Sequence, residues 1–139
     1  MKLVRLLVES DADYNIGPVY HGTTGEFNDF EENSRGLYFF SPSKEWAEKW
    51  APDKVLSCRI SAKNTFDFRI KDHVNKLAVE ASLGSIGIRQ IKSGDWSRIE
   101  DRSTIAAIKR LGYDSVYVME DGVLNIAVFS PRQVKLIGQ

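Results

Sequence analysis

Cysteine is almost missing from this chain: Cys58 stands alone among 139 residues. One cysteine closes no internal disulfide, so a reducing compartment suits the protein. Cys58 sits in an apolar alternating stretch, which reads as a buried, inert thiol. Histidine is scarce too, with only His21 and His73. A closed structural zinc site needs about four nitrogen or sulfur ligands at close spacing, and these are not there. Excess charge is absent, since 19 Lys and Arg balance 19 Asp and Glu. Bulk electrostatic capture of nucleic acid or of an anionic membrane is therefore not supported. No apolar run approaches the roughly 20 residues that span a bilayer. The apolar start, Leu3 to Val8, is broken by Arg5 and has no small-residue cleavage site after it, so it is a poor signal peptide. The expectation is a cytoplasmic protein without a membrane partner.

What is present is ordinary globular material. Hydrophobic residues make up 42% and charged residues 27%, too apolar for disorder. The length suits one domain with a real core. Residues 1–17 read as an N-terminal extension packed on a domain of residues 18–139. Leu3, Leu6 and Leu7 share a helical face, and Asn15-Ile16-Gly17-Pro18 reads as a turn. Val19 to His21 reads as a strand ending at Gly22, residues 25–35 as a loop, and Gly36 to Phe40 as a strand. Ser41 is the expected N-cap of a helix that starts at Pro42 and stops at Pro52. Strands are expected at 54–61 and 64–69, the latter with Phe66 and Phe68 inward. Helices are expected at 71–83, with Val74, Leu77, Ala78 and Ala81 on the core face, and at 102–111, with Ile105, Ala106, Ile108 and Leu111. Asp95 reads as a helix cap and Gly112 as a helix stop. The stretch 84–94 carries no decisive pattern. Asp121-Gly122 between apolar runs predicts a hairpin of 115–119 with 123–129, and 134–137 adds an edge strand. The fold class is α+β with a mostly antiparallel, split sheet.

Residues 19–51 carry the chemistry. Gly22 directly follows His21, so a ligand can approach the backbone where no Cβ intervenes. A backbone N–H and C=O exposed there can hold a carboxamide as a donor–acceptor pair. Thr23 and Thr24 add hydroxyls. Tyr38 and Gly36 share a strand face, with Leu37 and Phe39 on the other, so the Tyr38 ring faces a small gap. Trp46 and Trp50 lie on one helix face at i, i+4, and Trp50 can line a cleft. Lys44, Glu45, Glu48 and Lys49 read as that helix's solvated side. His73, among charges, reads as a surface residue, and Asp114 as a cap or turn residue.

His21-Gly22-Thr23, Gly36-Leu37-Tyr38-Phe39 and a serine-headed helix carrying Ala47 and Trp50 together resemble the ADP-ribosyltransferase fold. The likeness is to its histidine–tyrosine branch, which includes diphtheria-type toxins and the poly(ADP-ribose) polymerases. Gly94-Asp95-Trp96, Leu111-Gly112-Tyr113-Asp114-Ser115 and Ala127 to Lys135 resemble the small ADP-ribosyltransferase domains of phage and mobile-element polyvalent proteins. The resemblance covers roughly residues 18–137. It implies NAD as substrate, bound in a cleft between the halves of a split sheet. It implies that His21 contacts a ribose hydroxyl, that Gly22 and Thr23 hold the nicotinamide end, and that Tyr38 stacks on the ring. Ser41 and Trp50 would complete the cofactor site. The reaction implied is cleavage of the nicotinamide–ribose bond through an oxocarbenium-like state, then attack by a macromolecular acceptor, expected to be a protein.

The third catalytic position of that family usually holds Glu, and here it falls on Asn125. An amide can bond the ribose 2′-hydroxyl but carries no charge. A carboxylate about 4 Å from a forming cation, at an effective dielectric of about 20, contributes on the order of 4 kcal/mol. Its loss costs roughly a thousandfold in rate. Three readings stay open: a mono-ADP-ribosyltransferase, effector-like or toxin-like, that is slow or in which a nearby acid substitutes; a weak or inactive fold member that binds NAD, ADP-ribose or a protein partner; and an NAD glycohydrolase, in which water is the acceptor. Glu120 and Asp121 are the nearest acids, but a solvated turn is the expectation for both. Glu100 is a more distant candidate.

Overall fold

A computed structural model describes residues 13–23, 37–50 and 54–138, without the side chains of Thr23, Trp50 and Gly138. The expected helix at the N-terminus, the loop at 25–35 and Gly36 lie outside the described residues. The chain order is β1 (Ile16–Thr23), β2 (Tyr38–Phe40), α1 (Lys44–Trp50), β3 (Lys54–Ile60), β4 (Thr65–Phe66) and α2 (Lys71–Glu80). Next come α3 (Ser85–Lys92), α4 (Trp96–Ile99), α5 (Arg102–Arg110), β5 (Ser115–Glu120) and β6 (Val123–Val128). A 3₁₀ turn (Pro131–Gln133) leads into β7 (Val134–Gly138).

The strands form two sheets, one ordered β1-β3-β7 and the other β2-β6-β5-β4. Every pairing is antiparallel except β4 with β5. The split sheet of an α+β fold is therefore present. The two sheets meet where Tyr20 and Ser41 exchange backbone hydrogen bonds of 2.8 and 2.9 Å.

Strand alternation builds two cores. Leu56, Cys58 and Ile60 of β3 pack with Tyr38 and Phe40 of β2 and with Ile126 and Val128 of β6. This core lies between the sheets. On the other face of the second sheet, Leu37, Val116, Val118 and Ala127 meet Val74, Leu77, Ile91, Ile99 and Ile108 from the helices. Burial lifts the Cys58 thiol to about 12, so it is inert at neutral pH.

Several local expectations are corrected. Residues 15–18 are not a free turn, because β1 already begins at Ile16 and absorbs the Gly-Pro pair in a register shift before Val19. A proline is tolerated at such an irregularity. Gly17 is required there: a Cβ would lie 2.8 Å from Arg59 Cγ. Ser41 does not cap α1. Its backbone is committed to Tyr20, and the Ser43 hydroxyl accepts from Trp46 N instead, at 3.2 Å. On α5 the buried alanine is Ala107, whereas Ala106 is exposed. His73 is half-buried rather than on the surface: its Nδ1 accepts the Asp67 N–H at 3.0 Å, and its ring packs on Phe66 and Tyr113. The stretch 85–92 is a helix with Gly87 and Ile91 inward.

Other expectations agree with what is found. Asp95 caps α4 by accepting from Ser97 N. Asp114 accepts from the backbone of Lys63 and Asn64, which fixes the turn into β4. Asp121 and Gly122 both take positive φ, at 50° and 78°, giving the tight turn that an Asp-Gly pair favours.

Candidate active site at the junction of the two sheets

The Tyr20–Ser41 bridge sets the geometry of the site. Residues along a strand point their N–H and C=O groups alternately to its two edges. Tyr20 spends both of its groups on Ser41. Gly22, two residues on, directs its N–H and C=O toward the same edge, on the side of Phe39, where no backbone bond joins β1 to β2 among the described residues. The opposite edge of β1 is covered by β3, with Gly22 in register with Val55. A glycine therefore presents a donor–acceptor pair at the open end of the sheet junction.

His21 faces the other way along this row. Its Nδ1 lies 2.8 Å from the Phe39 carbonyl oxygen, and its ring packs on Phe40 at 5.5 Å. Burial holds the imidazole pKa below its usual value, only partly offset by the Phe39 contact. The ring is thus neutral at neutral pH. A carbonyl can only accept, so Nδ1 carries the proton and Nε2 is the acceptor nitrogen. That is the tautomer needed to accept a hydroxyl proton.

Tyr38, two residues before Phe40 on β2, is only 4% exposed, its ring forming part of the core between the sheets. Ser41 is fully buried, with its Oγ accepting from Ser43 N. Thr23 is placed by its backbone, opposite Lys54. Trp50 ends α1. Their side chains are outside the described residues.

Asn125 reaches the junction along β6. The register Phe40↔Ile126, continued by one step, sets Asn125 opposite Ser41, hence in the row of Tyr20. The row brings the strands of His21, Ser41 and Asn125 together. Alternation does not place Asn125 on the face of Tyr38: Ile126 and Val128 share that face, whereas Asn125 lies on the side of Ala127 and Val118.

Glu120 is not a solvated turn residue. It is only 6% exposed, and its Oε1 accepts a hydrogen bond from Asn125 Nδ2 at 3.1 Å. Burial pushes its carboxyl pKa up. The bond from Asn125 lowers it, and the charges of Asp121 and Glu100 raise it further. Asp121 itself is exposed. Asn125 is fully buried, and its Oδ1 has no partner among the described residues. An orphaned buried acceptor costs about 1–3 kcal/mol, a cost that an incoming donor removes.

The Glu120–Asn125 contact was missed at the level of sequence, yet a signal for it existed. A two-residue Asp-Gly turn fixes the register Glu120↔Val123 and Val118↔Asn125. Glu120 and Val118 share a face, so Glu120 is the diagonal neighbour of Asn125.

The chain belongs to the family described as "ADP-Ribosyltransferase in polyvalent proteins", whose pattern matches residues 12–139. No curated protein matches it. Among solved structures it is similar to one titled "Crystal structure of an anti-CRISPR protein". The TM-score is 0.60 at 17% identity, covering 87% of this chain and 95% of that one. At that identity the likeness is one of fold. Among the described residues, no helix is long and apolar enough to cross a membrane.

Proposed function

We propose that the protein cleaves NAD and transfers ADP-ribose to a macromolecular acceptor. The observation that carries this reading is the open-edge backbone of Gly22 beside a neutral, tautomer-fixed His21. A donor and an acceptor on one glycine match a carboxamide, and an imidazole acceptor nitrogen matches a sugar hydroxyl. Membership of the family supports NAD as the ligand that carries both groups.

In the proposed pose Gly22 reads the nicotinamide carboxamide, and His21 Nε2 accepts from a ribose hydroxyl. Tyr38 walls the pocket from the core side, with Thr23, Ser41 and Trp50 around it. Asn125 Oδ1 accepts the ribose 2′-hydroxyl. The bond between C1′ and the nicotinamide nitrogen breaks, and its electron pair leaves with nicotinamide. A lone pair on the acceptor then forms the new bond to C1′, and the acceptor's proton passes to solvent. Water in the acceptor's place gives free ADP-ribose. Asn125 is buried on the side of Val118 and Ala127, away from Tyr38, so its contact with NAD requires the end of β6 beside Ser41 to rearrange.

Calorimetry with NAD tests the reading. His21→Ala is expected to weaken binding about tenfold, the size of one lost hydrogen bond of roughly 1.4 kcal/mol. Unchanged affinity would remove His21 from the site. Incubation of the wild type with labelled NAD and a cell lysate separates the outcomes. Label on a macromolecule supports transfer, free ADP-ribose means hydrolysis, and intact NAD with measurable binding means a binding module.

A further inference from the structure

Asn125 and Glu120 form a unit whose parts are not interchangeable. An ionised carboxylate has no proton to donate. It can take only the NH2 end of the amide, so the amide is held with Nδ2 toward Glu120 and Oδ1 away. The carboxylate also polarises the amide, pulling electron density toward Oδ1 and making it a stronger acceptor. We propose that Glu120 is a positioning residue that serves the third catalytic position through Asn125. It fixes the amide and supplies, one hydrogen bond farther out, the negative charge that an acid at position 125 would bring. The inference rests on the NAD reading above and deepens it.

Distance sets the size of the effect. At an effective dielectric of about 20, a charge about 8 Å from the forming cation acts half as strongly as one at about 4 Å. Of the roughly thousandfold that a direct carboxylate provides, about thirtyfold remains. The unit thus gives a slower enzyme than a glutamate would, but not a dead one. Two further carboxylates raise the Glu120 pKa by their charge, Asp121 in the same turn and Glu100 at the end of α4. The contribution of Glu120 therefore fades as the pH falls.

The test uses nicotinamide release from NAD, from acidic to neutral pH, together with NAD calorimetry on the same proteins. Glu120→Gln keeps an oxygen that can accept from Asn125 and removes the charge. Release is expected to fall about thirtyfold with NAD affinity unchanged, and the acid-side decline expected of the wild type should vanish. A merely structural glutamate would leave the pH profile alone. The transposed variant E120Q/N125D puts the acid at position 125 and the amide beside it, in nearly the same volume. It is expected to match or exceed the wild type, and it carries the test if E120Q does not fold. The inference is overturned by an E120Q protein with wild-type rate and pH profile. It is overturned equally by a wild type that binds NAD but releases no nicotinamide. A wild type that does not bind NAD at all overturns the cofactor reading itself, and the inference falls with it.

Discussion

Two carboxylates beside the second sheet are withdrawn from water, and they are partnered in opposite ways. Asp67, just after β4, is 9% exposed, and Glu120, at the end of β5, is 6% exposed. Asp67 meets a cation: Arg69 Nε and one terminal nitrogen reach its two oxygens at 2.9 and 2.8 Å. The Arg69 backbone N–H adds a third bond at 2.9 Å, and the guanidinium lies over the Tyr117 ring. The hydrogen bonds from Arg69 hold the Asp67 carboxyl below its usual pKa. Glu120 meets only an amide, with further acids nearby, and its carboxyl is pushed up. The first pattern is that of a corner fastened for stability. The second leaves a charge incompletely compensated, as active sites do.

Removing the amide gives the largest expected break in this comparison. Asn125→Leu leaves a buried carboxylate with no donor, and we expect a loss on the order of 3 kcal/mol in urea unfolding, along with all turnover. Replacing both partners, as E120L/N125L, is expected to recover most of that stability, because no buried polar group is then stranded. A loss below about 1 kcal/mol for the single variant would show that Glu120 turns out to water when its partner is gone.

Asp67→Ala is the matching break at the other corner. It removes three hydrogen bonds, two of them to an exposed side chain that water can take over. About 1–2 kcal/mol of stability is expected to go, with NAD turnover unchanged once the protein is folded. A drop in turnover comparable to that of E120Q would mean that the two corners are not functionally distinct.

How far these differences were legible depends on what encodes them. The Asp-Gly turn, the Phe66 and Phe68 pair, the helix faces and the two-sheet α+β class follow from period and turn chemistry, which are local. Gly22 and His21 stood out because a glycine beside a strand-end histidine has a direct consequence for the backbone. Ser41 was misjudged because Ser-Pro before a helix is a strong local signal, and only the distant Tyr20 claims its backbone. Glu120 was misjudged for a related reason: proximity to a turn reads as exposure, whereas its face, fixed by register, reads as burial. His73 similarly found its partner in the backbone of Asp67, a contact that no helix pattern encodes. These three misses are polar pairings made between elements, which no pattern within one element encodes.

The smallest expected effect is also the one that separates the two carboxylates by sign. Asp67 has a folded pKa below its ordinary 3.8. Its stabilisation is fully present above that value and is lost as the pH falls through the folded pKa. Glu120 has a folded pKa above its ordinary 4.5. For a carboxyl this means that the fold disfavours the ionised form, so stability declines as the pH rises from 4.5 through the folded pKa, and no such loss exists below. Denaturant midpoints of the wild type, D67N and E120Q across this range should therefore diverge. D67N should fall below the wild type at neutral pH, with the gap closing in acid. E120Q should rise above the wild type at neutral pH, with its gap also closing in acid. An E120Q midpoint that runs parallel to the wild type at every pH would show that Glu120 is not penalised by its surroundings. If instead E120Q gains stability at the pH where it loses turnover, the buried charge is one that the fold tolerates against its own stability, as a residue kept for catalysis does and the Asp67 corner does not.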